Sequence, residues 1–499
     1  MRTIRRAALA AASCSLALGM APAALAAPET MSDAVSLAYE TNPTLQAARA
    51  SLRSTDEEYA QAKAGLRPTV GITSIVTHDE NDAPRITGGG VSNTSNTLLT
   101  VNQPLYTGGR VASAVDAATA DIMAGRQGLR RTEIGVLQSV ISAYVDVRRD
   151  QEQLAIAQDN VTVLKRQLDE TNARFEVGEV TRTDVAQAEA RLAAAQAQLA
   201  SVQSGLAIAR SAYAEVVGQN PGDLAPEPPI AQLLPGSVEG AFDAAERNNP
   251  QLLQASYAEE GSAARLAEAK AQTRPTVTLR GSLGYLGGVA AFGLGGPSRG
   301  SSNPFADLNR DITVSASTSI PLFSGGQVSS QIRQAAENNN VDRIGIETAR
   351  RQVLQAVSQA WNQLLGARAN LSADEQQVKA NTIAYEGVRQ EQQVGLRTTL
   401  DVLNAQQELE NSELALVGAR HDEYVAAAGV LAAMGSLEAK DLIPDEPRYD
   451  PADNFKHVRH AIGWTPWEPA VEAIDHIGAP EPTTRPPPSP PGQVVKPTE

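Results

Sequence analysis

Apolar residues recur in alternating steps of three and four along two proline-free tracts, residues 105–220 and 322–443. In the first tract Leu154, Ala157, Val161, Leu164 and Leu168 run up to Phe175. Val185, Ala188, Leu192, Ala195, Leu199, Val202, Leu206, Ala209 and Tyr213 continue beyond it. Spacing of this kind, sustained so long, predicts helices packed as coiled coils. The two runs are separated by Phe175–Val185 (FEVGEVTRTDV), which returns in the second tract as Gln392–Val402 (QQVGLRTTLDV). The glycine in each is a helix stop, since glycine takes the left-handed cap without strain. Thr181–Asp184 and Thr398–Asp401 then fit a helix start, in which a hydroxyl caps the new helix and a carboxylate follows three residues on. Each element is therefore expected to be the tip of a long antiparallel helical hairpin. At ~1.5 Å per residue, the helix from Arg110 to Phe175 would span on the order of 100 Å.

Elsewhere the period changes to two. Val277, Leu279, Leu283 and Tyr285 alternate with small or polar residues over 276–285, as do Ile312, Val314, Ala316 and Ile320 over 312–320. Weaker alternation marks 69–77 and 97–105. Strands of about nine to eleven residues with one apolar face are long enough to cross a bilayer when tilted. Residues 286–310 read as a long Gly/Ser loop. Four strands cannot close a barrel alone, and an open edge in lipid leaves backbone groups unpaired. Either several chains share one barrel, with three chains supplying twelve strands, or the pairs are ordinary hairpins on a soluble helical body.

The chain is duplicated. Asn42-Pro43 and Arg67-Pro68-Thr69-Val70 return 207 residues later as Asn249-Pro250 and Arg274-Pro275-Thr276-Val277. Pro104-Leu105, Gly108-Gly109, Gly178, Asp184 and Gly218 return after 217, as Pro321-Leu322, Gly325-Gly326, Gly395, Asp401 and Gly435. The sequence thus divides into repeat 1 (27–220), a proline-rich connector (221–236), repeat 2 (237–441) and a C-terminal tail (442–499). In the tail, 449–467 carries aromatics able to pack on the body, and the proline-rich end from Pro480 is expected to be extended or disordered.

The amino terminus reads as a secretory signal: Arg2, Arg5 and Arg6, an apolar segment over 7–20, then Ala24-Leu25-Ala26, with cleavage expected after Ala26. Cys14, the only cysteine, lies inside it and lacks the lipoprotein context, so disulfides and thiolate metal sites are excluded beyond it. Formal net charge is −15, and no basic tract stands out, which argues against nucleic acid as a partner. The five histidines (78, 421, 457, 460 and 476) are scattered. No nucleophile–base set, phosphate loop or metal site is legible, so neither an enzyme nor a cofactor is expected.

Signal, duplicated helix–strand–strand–hairpin order, NPxL at each repeat start, PLxxGG after each second strand and VGxxTxxDV at each tip together resemble the TolC outer membrane efflux and secretion proteins. The likeness runs from about Met31 to Leu442. It implies a mainly α fold with a β-barrel portion: a homotrimer whose twelve-stranded outer membrane barrel continues into a periplasmic α-helical barrel. It also implies a periplasmic adaptor and an inner-membrane ABC or proton-driven exporter as partners, with outer membrane lipid around the strands and protein or small molecules as cargo. The other reading is a secreted periplasmic coiled-coil adaptor or surface scaffold, for which two hairpins and four strands are unusual.

By the same resemblance the tips form the gate. Asp401 would belong to an acidic ring at the constriction, while Asn404 stands where relatives often carry a second aspartate. Arg397 would tie neighbouring subunits together, with Asp184 and Thr183 as its acceptors. Gln392 replaces a tyrosine that often assists. Val177-Gly178 and Val394-Gly395 would meet the adaptor. Independently of the resemblance, Asp401 also suits a helix cap, and Arg397 an exposed surface position.

Overall fold

The computed structural model describes residues 28–81, 90–287, 305, 308–442, 449–460 and 463–482. The expected signal and cleavage site, most of the 286–310 loop and the end of the proline-rich tail lie outside them. Repeat 1 comprises α1 (Met31–Thr41), α2 (Pro43–Ala64), β1 (Thr69–Asn81), β2 (Gly90–Tyr106), α3 (Arg110–Glu176) and α4 (Arg182–Val217). Repeat 2 follows the same order as α5 (Val238–Asn248), α6 (Pro250–Ala271), β3 (Thr276–Gly287), β4 (Asn309–Ser319), α7 (Gln327–Gln393) and α8 (Thr399–Met434). Short helices α9 (Ala439–Leu442), α10 (Asp453–Val458) and α11 (Glu468–Asp475) complete the chain. Helices at matching places have equal lengths: α3 and α7 have 67 residues each, α4 and α8 have 36.

The repeated motifs are structural clamps. Asn42 caps α2, its Oδ1 accepting from the Thr44 and Leu45 amides at 3.0 and 3.3 Å, with Pro43 in the first turn, where its missing N–H costs nothing. Its Nδ2 donates to Val216 O at 2.9 Å, tying the end of α4 to the start of α2. Asn249 repeats both bonds, to the Gln251 amide and to Ala433 O, each at 2.8 Å. The double glycines ahead of α3 and α7 have φ of 74° and 82°, and 62° and 85°, a left-handed turn that side chains resist.

The main core is a belt where α1, α5 and the connector close on α3, α4, α7 and α8. Tyr144, Tyr213, Met31, Leu45, Leu137, Ile141, Leu364 and Leu431 are fully buried in it. Three tyrosines pin this belt: Tyr144 Oη donates to Ala225 O (2.6 Å) and Glu29 O (3.0 Å), Tyr213 Oη to Glu29 Oε1 (2.6 Å) and Tyr424 Oη to Pro228 O (3.0 Å). Burial pushes the Tyr144 phenol up to about 12. Among the tail aromatics, Phe455 stacks edge-on against Tyr59 at 5.2 Å, and the Tyr449 ring lies 5.0 Å from the Arg49 guanidinium.

The four strands form one antiparallel sheet in the order β1-β2-β3-β4. Their register aligns residues in rows: Val70–Val101–Gly281–Val314 and Ile72–Leu99–Leu283–Ile312 on one face, Gly71–Thr100–Ser282–Thr313 on the other. The apolar face is bare, with Ile72 73%, Val314 72% and Ile312 60% exposed. The first pair is longer than its alternation suggests, because backbone pairing continues through Thr77↔Thr94 to Asn81↔Gly90, beyond the last apolar residue of β1, Val76.

Among the described residues the outer edges of β1 and β4 are open, so the sheet and the helices below it form an open arc. α3 packs against α2, α4, α6 and α8, whereas α7 packs against α5, α6 and α8. On α7 Val341, Ile344, Leu365 and Ile383 are each at least half exposed.

Candidate functional site

The hairpin tips are built alike. α3 ends through Gly178 (φ 82°), whose amide donates to Phe175 O at 3.0 Å while Glu179 N reaches Arg174 O at 2.9 Å. α7 ends through Gly395 (φ 78°), with Gly395 N to Gln392 O at 3.0 Å and Leu396 N to Glu391 O at 2.9 Å. These paired bonds satisfy the last helical carbonyls and reverse the chain within a few residues. Val177 and Val394 stand out from the two turns, 72% and 71% exposed, the apolar apex of each hairpin.

Each returning helix starts with a complete capping box. Thr181 Oγ1 accepts from the Asp184 amide (3.3 Å), and Asp184 Oδ2 accepts from the Thr181 amide (2.9 Å) and hydroxyl (2.7 Å). Thr398 and Asp401 repeat this at 3.2, 3.0 and 2.8 Å. In Asp401 all the cap bonds to the carboxylate go to Oδ2. The Thr398 amide and hydroxyl hold its carboxyl below the usual range, with Arg397 adding to the effect. Asp401 is therefore a fixed negative charge beside the tip, held by the cap geometry that the sequence pattern indicates. Thr183 is exposed next to Asp184.

Two tip residues make arrangements that the sequence pattern does not specify. Within the chain Arg397 pairs with Glu391, Nε donating to Oε2 at 2.8 Å. The turn folds Arg397 back over the last turn of its own helix, while Asp184 is engaged by its own cap. Gln392 is only 5% exposed, tucked beneath the turn. A charged neighbour six residues away and the burial of one amide depend on how the turn closes, which helical periodicity does not encode.

The sequence reading also missed Arg191 on α4. Its Nη2 donates to Asn404 Oδ1 at 3.1 Å and its Nη1 to Gln407 Oε1 at 3.4 Å, linking the two hairpins. Beneath this link Leu403 (2% exposed) packs with Leu164 and Ala195, and Gln406 Nε2 donates to Asn160 Oδ1 at 3.3 Å. Asn404 is thus held by a cation on the facing hairpin. Arg191→Ala is expected to leave the fold intact but loosen the tips, raising amide hydrogen exchange over 398–411 several-fold. Exchange equal to that of the unsubstituted chain would show that the link does not hold the hairpins together.

The described residues contain no cluster of His, Cys, Asp or Glu able to hold a metal ion, and no helix long and apolar enough to cross a membrane. The site offers a fixed carboxylate, an arginine in a partly exposed ion pair and an interhairpin clamp. These are parts suited to shaping an opening.

The comparisons agree in kind. The family model for outer membrane efflux protein matches residues 34–219 and 241–436. The outer membrane efflux protein BepC of Brucella suis is 33% identical over 433 residues, covering 86% of this chain and 91% of BepC. The outer membrane protein TolC of Escherichia coli is 26% identical, covering 81% of each chain. Among solved structures, the outer membrane protein VceC of Vibrio cholerae superposes with a TM-score of 0.67 at 23% identity, over 81% of this chain and 96% of VceC.

Proposed function

The chain belongs to the outer membrane efflux protein family, and from that premise we propose that it is the exit duct of a tripartite export system, working as a homotrimer. It is an outer membrane channel that reaches into the periplasm, not an enzyme. The observation that carries the trimer is the open arc. Among the described residues β1 and β4 each leave one edge unpaired, and an unpaired edge is costly in lipid. Pairing β4 of one subunit with β1 of the next around a threefold axis removes every edge. Three four-stranded sheets make twelve strands, an even number within the range of outer membrane barrels. The same rotation brings the half-bare face of α7 against a neighbouring subunit, a head-to-tail contact that closes into a ring.

The apolar rows of the sheet then face lipid and the Gly/Thr/Ser rows face the lumen. The long helices carry the duct across the periplasm to the tips, where Asp401 would form a threefold acidic constriction. Arg397, released from Glu391, would reach Asp184 and Thr183 of the next subunit when the entrance is closed, with Gln392 supporting the turn from beneath. Val177-Gly178 and Val394-Gly395 would be the apices that meet a periplasmic adaptor, itself joined to an inner-membrane ABC or proton-driven transporter. The cargo is protein or small molecules, handed over by that transporter. The amino-terminal signal, cleaved near Ala26, would deliver the chain to the periplasm.

Outer membranes extracted in mild detergent are expected to yield a trimer that falls to monomer on boiling. Release of monomer by a salt wash would contradict the barrel and favour a soluble scaffold.

A further inference from the structure

The tail places a short amphipathic helix at the foot of the sheet. α11 and its flanks dock on repeat 1 through buried charge. Glu468, 3% exposed, accepts from Arg67 Nε and Nη2 at 3.3 Å each and lies 3.5 Å from Lys63 Nζ. Asp475, fully buried, accepts from the Thr107 amide (2.5 Å) and hydroxyl (2.9 Å) and from the Gly109 amide (3.4 Å), ahead of the first turn of α3. Val471 fills the gap between them against Leu66, Val111 and Leu105. Residues 468, 471 and 475 share one stripe of the helix.

The two flanks of that stripe differ. On one, Glu472 pairs with Lys63 of α2 at 3.3 Å, and His476 lies within electrostatic reach of Asp116 of α3, so the polar flank faces the helical body. The other carries Trp467, Ala470 and Ile474, with Ile477 just beyond the end. Trp467 is 51%, Ile474 45% and Ile477 68% exposed, and Trp464 ahead of the helix is 62% exposed. This apolar flank touches the sheet: Trp467 Nε1 donates to Gln103 Oε1 at 3.1 Å, and Tyr106 Oη donates to Ile477 O at 3.2 Å. Gln103 lies two residues beyond Val101 on the same, apolar side of β2. At the matching level of repeat 2, Leu322 and Phe323 are 93% and 90% exposed, so bare apolar surface continues at the foot of the other strand pair.

We propose that Gly463–Pro480 is an interfacial anchor. Its Trp464, Trp467, Ile474 and Ile477 are immersed in the phospholipid headgroup–acyl boundary of the periplasmic leaflet, directly below the lipid-facing rows of the sheet. The partner is a lipid surface. Indole rings with an apolar body and one N–H donor concentrate at that boundary, and short amphipathic segments lie in it. The carboxylates of Glu468 and Asp475 fix the segment to the protein, so insertion couples the start of α3 to the membrane plane. The inference rests on the exit-duct reading, which supplies the membrane.

The test uses the three tryptophans, 361, 464 and 467. The full chain is reconstituted in phosphatidylcholine vesicles carrying bromine at defined acyl positions, and insertion is checked separately by channel conductance. Quenching is expected, strongest for bromine ~5–10 Å below the headgroups. Trp464→Ala/Trp467→Ala should lose most of the quenching and keep the unquenched emission of Trp361, which packs against the central core belt. Trp464→Ala alone, which breaks no hydrogen bond shown for Trp467, should lose part of it. A conducting protein whose Trp464 and Trp467 emit as in water and are not quenched would overturn the anchor while leaving the duct. A protein that neither inserts nor conducts would overturn both.

Discussion

Gly435→Ala is expected to destabilise the protein by about 2–5 kcal/mol, far more than the same change at its repeat counterpart Gly218. Gly435 ends α8 with φ 73°, a conformation that costs an alanine ~1–2 kcal/mol. A Cβ there would stand 2.7 Å from Asn249 Cα, 2.8 Å from Pro250 Cδ and 2.9 Å from Asn248 O. These are backbone and ring atoms at the α5–α6 junction and cannot rotate aside, so a further ~1–3 kcal/mol of overpacking is added. The displaced junction is also the one Asn249 clamps to Ala433 O. At Gly218 (φ 97°) the nearest atom is the Thr41 hydroxyl at 3.3 Å, which can give way, leaving a cost of ~1–2 kcal/mol. Loss of helical circular dichroism with rising denaturant measures both. Equal losses in the two variants would show that the α8–α6 junction is not packed as described.

The second large effect concerns ions. Asp401→Asn is expected to reduce the channel's preference for cations over anions roughly tenfold, the lower end of what a cleft lined with one sign of charge achieves. Asparagine keeps an oxygen that can accept from the Thr398 amide, so the substitution removes charge while sparing much of the cap. Asp401→Ala would remove both, and would confuse a selectivity change with fraying of α8. Because Asn404 is neutral and held by Arg191, no second acidic position on this turn compensates. Reversal potentials across a salt gradient measure the preference. An unchanged reversal potential in Asp401→Asn would take Asp401 out of the constriction and leave it a helix cap alone.

Local chemistry made much of this legible in the sequence. Heptad spacing without proline could fold only as long helices, and the Gly–Thr–x–x–Asp order at each tip is a stop followed by a capped start, as found. NPxL was readable as a recurring landmark, but its role was not. The bond from Asn42 to Val216 O joins residues 174 apart, and no short window contains it. The extension of β1 and β2 is not legible in the sequence because Thr77, His78, Asp79 and Glu80 carry no apolar alternation; backbone pairing, with a side-chain bond between His78 and Asn93, holds them in register.

At the candidate site the division is the same. Thr398 and Asp401 are three residues apart, and their bond is written in the pattern. Arg191 and Asn404 are separated by 213 residues, and Thr107 and Asp475 by 368, so those partners emerge only when the hairpins and the tail are folded together. Within its own chain Arg397 meets Glu391, a pairing set by how the turn closes and not by the heptad pattern. The buried charges of α11 could be read from sequence only as ordinary surface acids, since a carboxylate gives no local sign of a partner hundreds of residues away.

The central claim is that three copies of this chain close into one conducting duct. Single-channel recording of the purified protein in a planar bilayer tests it most directly. Discrete, uniform conductance steps that favour cations are the predicted result. A folded, helical, trimeric protein that gives no steps would contradict the duct and return the four strands to the surface of a soluble scaffold.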